Sequence, residues 1–406
     1  MKIAVVSSSN IPSDWANGIN TAKHAGGFTD LGHEISLLAP LRCREKKKLK
    51  EINNINDFYN INRLVKTRFF TDRSPFYFGD IKVISRLLKK INKITGHKIR
   101  YFFDPERNIA DHIKNNDFDF VYCRAFRTPY YLIKCNIPVV VETHAPTIKN
   151  PELEKLLELS SSKYFLGIST ISDKIKEGFI KYGFPADKIL VQEDAVDIDR
   201  FDEVKKSKQE LRKDLGLSTN KKIITYCGSL RPGKGIPDLI KLAEAIKDKR
   251  DREIIVIGGP TDRKEYFEEE RKKKNLVNIR FIGFVENNMV PQYLKASDVL
   301  VMLYNKNEGR AIMDYETTSP IKLFEYMGSG TPVIATDIET IAKVVQDKKH
   351  VSMVKMGDIE DIVQKIDNVL QDAEFGLSLS NKAYDLACLY TYKKRCVNII
   401  KYFYGS

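Results

Sequence analysis

The sequence predicts an α/β protein built from two doubly wound, Rossmann-like domains facing a central cleft, with a C-terminal helix that returns toward the first domain. Three observations carry this expectation. The chain has 406 residues, too many for one ordinary core. Short apolar runs alternate with helical patterns from end to end, which is the signature of β-α units and parallel sheets. A charged stretch, "DIDRFDEVKKSKQELRKDLGLSTNKK", is poor in large apolar residues and separates two such series near residue 200.

Taken in order, the first series offers the strands "KIAVVSS", "EISLLAP", "FDFVYCR", "PVVVETH", "YFLGIST" and "KILVQED". The second offers "KIITYCG", "EIIVIGG", "NIRFIGF", "DVLVMLY" and "PVIATD". The last segment, "YDLACLYTYKKRCVNIIKYFYGS", reads as helix. The expected domains are therefore 1–200, 201–385 and a terminal helix over 386–406. In doubly wound domains ligands bind at the carboxyl ends of the strands, so candidate chemistry should follow strand ends.

Composition narrows the class. An apolar fraction of 42% supports globular folding. Six cysteines form no CxxC pair and no metal spacing with histidine, which implies reduced thiols and a cytoplasmic setting. The opening "MKIAVVSSSN" reads as a strand and not as a signal peptide. No apolar run approaches the ~20 residues that span a bilayer. The net charge is +13, yet residues 41 to 107 alone hold 18 Lys and Arg against 7 Asp and Glu, a net of +11. Within that region "IKVISRLLKKINKI" reads as a helix over 81–94 with one apolar face and a basic remainder. That face suits a solvated domain surface, and it also suits anionic lipid headgroups or a phosphorylated acceptor. No recognised nucleic-acid module accompanies it.

The densest motif is "SPIKLFEYMGSGTPVIATD", residues 319–337. Pro320 suits the first helical position and Ser319 the N-cap. The free amides that follow Pro320, on Ile321 and Lys322, form an anion site with the helix dipole, and the Lys322 side chain adds a full charge. Glu325 follows on the same face, placed to accept from sugar hydroxyls. "GSGTP" then stops the helix before a buried strand.

Other loops converge on the same chemistry. After "KIITYCG" comes "GSLRPGKGIPDLI", where Gly228 and Gly233 let backbone approach a ligand and Arg231 and Lys234 supply cations. Such loops also serve as plain tight turns, and the second anion site in the same half favours the diphosphate cradle. Gly259 lies in the next strand-end loop, and Phe284 and Val285 in a third, where they suit contact with a base or ordinary core. In the first half, Asn17-Gly18 reads as a turn before a helix whose amides face a sugar or phosphate. Arg124 and His144 close two further strands.

The run "YCGSLRPGKGIPDLI", "IVIGGP", "IRFIGFVENNMVPQYLKASDVLVML" and "SPIKLFEYMGSGTPVIATD" resembles the C-terminal half of glycosyltransferase family 4, retaining enzymes of the GT-B fold that use nucleotide sugars. "ISDKIKEGFIKYGFPADKILVQEDAVDIDRF" is similar to that family's passage into its second domain. The resemblance implies that Lys234 touches the donor diphosphate, that Glu325 binds the ribose, and that His144 hydrogen-bonds the transferred sugar. Two departures stand out. Ser229 occupies the position where the family often has arginine, and Arg231 lies two residues on. The first glutamate of the family's pair falls on Thr317, with Glu316 one place off.

The resemblance further implies a reaction without a protein nucleophile, in which the diphosphate leaves while the acceptor attacks the same face. Lys234, Arg231, Lys322 and the helix amides stabilise the departing charge, and no metal or cofactor is expected. The expected partners are a nucleotide-diphosphate sugar such as a UDP-sugar, a glycan or lipid-linked acceptor of polysaccharide synthesis, and an anionic membrane surface met peripherally through 41–107. Two other readings are a nucleotide-sugar epimerase of the same fold and a catalytically inactive, basic surface-binding protein. The epimerase would need an acid–base carboxylate pair near the sugar, and the retained Lys234, Lys322 and Glu325 weigh against the inactive protein.

Overall fold

The computed structural model describes residues 1–9, 11–12, 16–41, 55–59, 61, 65–71, 105–144, 151–305 and 321–405. The chain divides into two compact units, one comprising Met1–Gln192 with Tyr392–Ser406 and the other Glu193–Thr391. Each unit is a parallel sheet covered by helices on both faces.

In the first unit seven strands, β1 (Lys2–Val6), β2 (Glu34–Leu41), β3 (Lys66–Thr71), β4 (Phe120–Cys123), β5 (Val139–Thr143), β6 (Phe165–Thr170) and β7 (Ile189–Val191), lie in the order β3-β2-β1-β4-β5-β6-β7. All neighbours are parallel. The central strands are buried along their whole length, as sheets covered on both faces require. The order reverses between β1 and β4, where Val6 pairs Cys123. That switch point, at the carboxyl ends, is where such sheets open a crevice.

The second unit repeats the plan with β8 (Lys222–Cys227), β9 (Arg252–Ile257), β10 (Ile279–Gly283), β11 (Val299–Met302), β12 (Val333–Thr336) and β13 (Ser352–Val354), ordered β10-β9-β8-β11-β12-β13. Its switch point lies between β8 and β11, with Leu300 opposite Thr225.

Several expectations need correction. Two of the four sheet-edge strands, β3 and β13, escape the sequence reading. β3, "KTRFFT", hides within the basic region, because edge strands carry charge on their open side. β13 has only 3 residues. The charged stretch near 200 is not a bare linker: Val196 and Phe201 are buried in the second unit's core, and Leu211 and Leu217 fill a satellite cluster. The division consequently falls after Gln192, ahead of the expected boundary.

The terminal segment is two helices, Ala373–Ala387 and Tyr392–Tyr404, and not one. The intervening residues bend, and Thr391 bridges to Val196. The helix Tyr392–Tyr404 packs on the helix Ala16–Asp30 of the first unit, where Gly27 has no room for a Cβ against the Tyr392 carbonyl. Asn17-Gly18 does not precede that helix but forms its first turn. The anticipated helix over 81–94 lies outside the described residues, as does most of the basic region.

Candidate functional site

In the second unit the strand-end loops are laced together by backbone bonds. Gly228 N–H donates to Ile257 O, Gly258 N–H to Gly283 O and Leu230 N–H to Gly259 O, each at 2.8 Å. A Cβ on Gly258, whose φ is +131°, would stand 1.8 Å from the Gly228 carbonyl oxygen. Only glycine allows β8 and β9 to end so close together. The loop after β8 closes with Gly235 in the left-handed region, packed on Leu303, and the helix Ile236–Ala245 starts there. Asn305, just beyond β11, donates to buried Asp238 at 2.8 Å, which ties the two sides of the switch point together.

The helix Ile321–Gly328 is anchored at the same place. Tyr326 accepts from Cys227 N–H at 2.6 Å and donates back to the Cys227 carbonyl at 3.0 Å, fixing the helix to the end of β8. Gly330, at φ +69°, ends the helix as "GSG" implies. Lys322 thereby reaches the β8 loop and donates to the Tyr226 hydroxyl at 2.9 Å. Burial, then the neighbouring Lys234, lower the Lys322 ammonium from its usual range to about 7. Lys234 lies 5.1 Å from the centre of the Tyr304 ring. Two lysines thus face one glycine-rich loop, an arrangement that favours an anion.

Glu325 keeps 23% of its side chain exposed and stands 3.8 Å from Arg200, so its carboxylate remains open to a ligand. Burial raises its pKa, and Arg200 and Lys322 oppose that rise. Arg200 also donates to the Asn287 carbonyl, which links Glu325 to the loop after β10. In that loop Phe284 is 65% exposed, whereas Val285 packs partly against the satellite core. Arg231 is exposed, and its N–H donates to the Ser229 hydroxyl at 3.3 Å. Ser229 and Gly259 lie partly exposed in the laced loops. Glu316, Thr317, Ser319 and Pro320 lie outside the described residues, so the helix start and its N-cap do too; Ile321 is the first described residue of that helix.

In the first unit the strand ends gather around a carboxylate that sequence reasoning missed. Glu142 is buried in β5 and accepts from His144 Nε2 at 2.7 Å and from Arg395 at 3.1 Å on the same oxygen. Arg124 lies 3.6 Å from the other oxygen, so it is a buried ion-pair member and not an exposed strand-end residue. Burial opposes ionisation of Glu142, but Arg124 and His144 outweigh it and hold the carboxyl well below its usual range. His24 is also fully buried beside Glu142, and desolvation lowers its pKa to about 3. Asn17 donates to the Ser9 hydroxyl at 2.6 Å, and Gly18 is buried. The available signal was a charged residue inside the apolar run "VVVETH". No group of three or more His, Cys, Asp or Glu side chains suited to a metal occurs among the described residues, and no described helix is long and apolar enough to cross a membrane.

With this geometry in place, comparison with known proteins shows what the chain is similar to. Residues 207–386, within the second unit, match the family model for glycosyl transferases group 1. An uncharacterized glycosyltransferase of Methanocaldococcus jannaschii is 23% identical over 283 residues, covering 66% of this chain and 70% of that one. The N-acetyl-alpha-D-glucosaminyl L-malate synthase of Bacillus anthracis is 24% identical over 44% of each chain, less than half the length of either. Among solved structures, a glycosyltransferase of Rickettsia africae superposes with a TM-score of 0.70 at 17% identity, covering 100% of this chain and 99% of that one. Anabaena HepE in complex with UDP and glucose gives 0.67 at 16%, covering 99% of each. The family match covers less than half of the chain, and the solved structures, alike over nearly its whole length, show the GT-B fold.

Proposed function

We propose that this chain is a retaining glycosyltransferase of family 4 that moves a hexosyl unit from a UDP-linked donor to a glycan or lipid-linked acceptor in cell-surface polysaccharide or glycoconjugate synthesis. The observation that carries the reading is the meeting of Lys322 and Lys234 at the glycine-laced end of β8, with Glu325 one turn along the same helix as Lys322. A diphosphate suits the two cations and the loop amides, and a ribose suits the open carboxylate. Phe284 and Val285 are assigned to the base side, and HepE, a structural neighbour solved with UDP and with UDP-glucose, suggests uridine. As the glycosidic bond to the leaving phosphate breaks, negative charge grows on the diphosphate, and Lys234, Lys322 and Arg231 neutralise it. The acceptor hydroxyl attacks from the face the diphosphate leaves, and its proton passes to the departing phosphate oxygen. His144, oriented by Glu142, is assigned to the transferred sugar, and Arg124, Asn17 and Gly18 to the sugar and acceptor side.

The reading assigns no metal or cofactor. It places the protein in the cytoplasm, peripheral on the inner face of the membrane, on the strength of the +11 excess over 41–107. Screening a panel of UDP- and GDP-sugars for slow hydrolysis tests the donor. NMR of the anomeric proton in the product tests retention. Turnover of no sugar nucleotide in the panel would overturn the assignment, and an inverted anomer would overturn the retaining part.

A further inference from the structure

Lys322 is held by more than its helix. Its Nζ donates to the Tyr226 hydroxyl at 2.9 Å and stands 4.6 Å from the centre of the same ring. The Tyr226 hydroxyl spends its own proton on the Ser229 carbonyl at 2.7 Å, so only its lone pairs face Lys322. Gly228 closes the other side, for a Cβ there would lie 2.5 Å from Lys322 Cδ and 2.7 Å from Nζ. The charged and titratable groups that act on this amine are Lys234 from the β8 loop, the Cys227 thiol at the end of β8, and Glu325 on its own helix. Glu325 in turn faces Arg200 and Asp197. Among the described residues no carboxylate forms an ion pair with Lys322.

We propose that Lys322 takes up a proton when a nucleoside diphosphate binds, and that Tyr226 is the positioning residue that holds the amine ready for it. The inference rests on the donor site argued above. The proton comes from solvent and converts the Nζ amine to ammonium; the diphosphate supplies a counter-charge. Burial and Lys234 lower the amine to about 7, so near neutral pH part of it is unprotonated before the nucleotide binds. Donor affinity should then fall as pH rises above 7, by up to about tenfold per pH unit while the bound amine stays charged. Tyr226 tunes the midpoint, because among the described residues its hydroxyl is the neutral acceptor that Nζ reaches, at 2.9 Å.

Titration calorimetry with UDP and with GDP, in buffers of different ionisation heat between pH 6.5 and 8.5, reads the uptake directly. The wild type should absorb a fraction of a proton per nucleotide near neutral pH and approach one at pH 8.5. Lys322→Arg, charged throughout, should bind with no uptake and a flat pH dependence. Tyr226→Phe, lacking the acceptor, should shift the rise in uptake to lower pH, which a merely structural tyrosine would not do. Should K322R fail to fold by circular dichroism, K322M takes its place with the same criterion of lost uptake. Nucleotide binding without uptake in the wild type, or with equal uptake in the Lys322 variant, would overturn the proposal and leave the donor site standing. Binding of neither nucleotide would overturn the donor reading itself.

Discussion

Arg395, in the last helix, donates to Glu142 in β5 at 3.1 Å, and both side chains are almost wholly enclosed. The pair joins positions 253 residues apart in sequence and seats the helix Tyr392–Tyr404 in the first unit. The same carboxylate oxygen orients His144, so the chain's end and a candidate sugar contact share one acceptor.

Breaking that pair should therefore destabilise the first unit. Arg395→Met leaves a buried carboxylate with one fewer cation, at a cost of about 3 kcal/mol, the low end for such a loss because Arg124 and His144 remain. Far-UV circular dichroism in a urea titration reports the change. A midpoint equal to wild type would show the pair to be idle.

Acid should act on the same cluster earlier than carboxylate titration alone predicts. His24 has its pKa lowered from 6.5 to about 3 by burial, so between those values the unfolded chain binds a proton that the folded one refuses. Stability is lost as pH falls through that window, up to about 4–5 kcal/mol in all. Glu142, depressed in the folded state, adds loss in the same direction below the unfolded carboxylate range. His24→Phe should flatten the profile between pH 6.5 and 5, and an unchanged slope in urea titrations would rule His24 out.

Lys234→Ala should lower turnover by ~100-fold or more while the melting temperature stays close to wild type. The side chain is partly exposed and rests on Tyr304, so its removal opens no core cavity. Near-normal turnover would remove it from the diphosphate cradle.

Glu325→Ala should weaken UDP by ~1.5–3 kcal/mol, the range for hydrogen bonds to a charged group. The loss should shrink against a UDP analogue lacking the ribose hydroxyls, because the contact is already gone. Equal losses against both ligands would assign Glu325 to Arg200 alone.

Two glycine substitutions separate fold from site. Gly258→Ala drives a Cβ into the backbone of Gly228 at a positive φ, and nothing nearby yields cheaply, so unfolding should come at least ~2 kcal/mol sooner. Gly228→Ala meets only the flexible end of Lys322, which can swing aside. That variant should keep its melting temperature and lose nucleotide affinity; the reverse pattern in the two variants would refute the assignment.

By itself the sequence determined the two parallel sheets and much of the donor-side loop chemistry. Apolar runs of five or six residues between helical patterns specify buried strands locally, as in β5 and β9. Glycines, lysines and a helix start are also read locally, which is why Gly228, Lys234, Lys322 and Glu325 were visible. What only tertiary structure decided depends on distant partners. Whether Asn17 begins a helix or a turn and whether a charged stretch carries Phe201 into a core are settled by packing. Above all, nothing near "VVVETH" announces that Glu142 meets Arg124, His144 and Arg395, because a buried charge is tolerated only when the fold delivers its counter-charges from elsewhere.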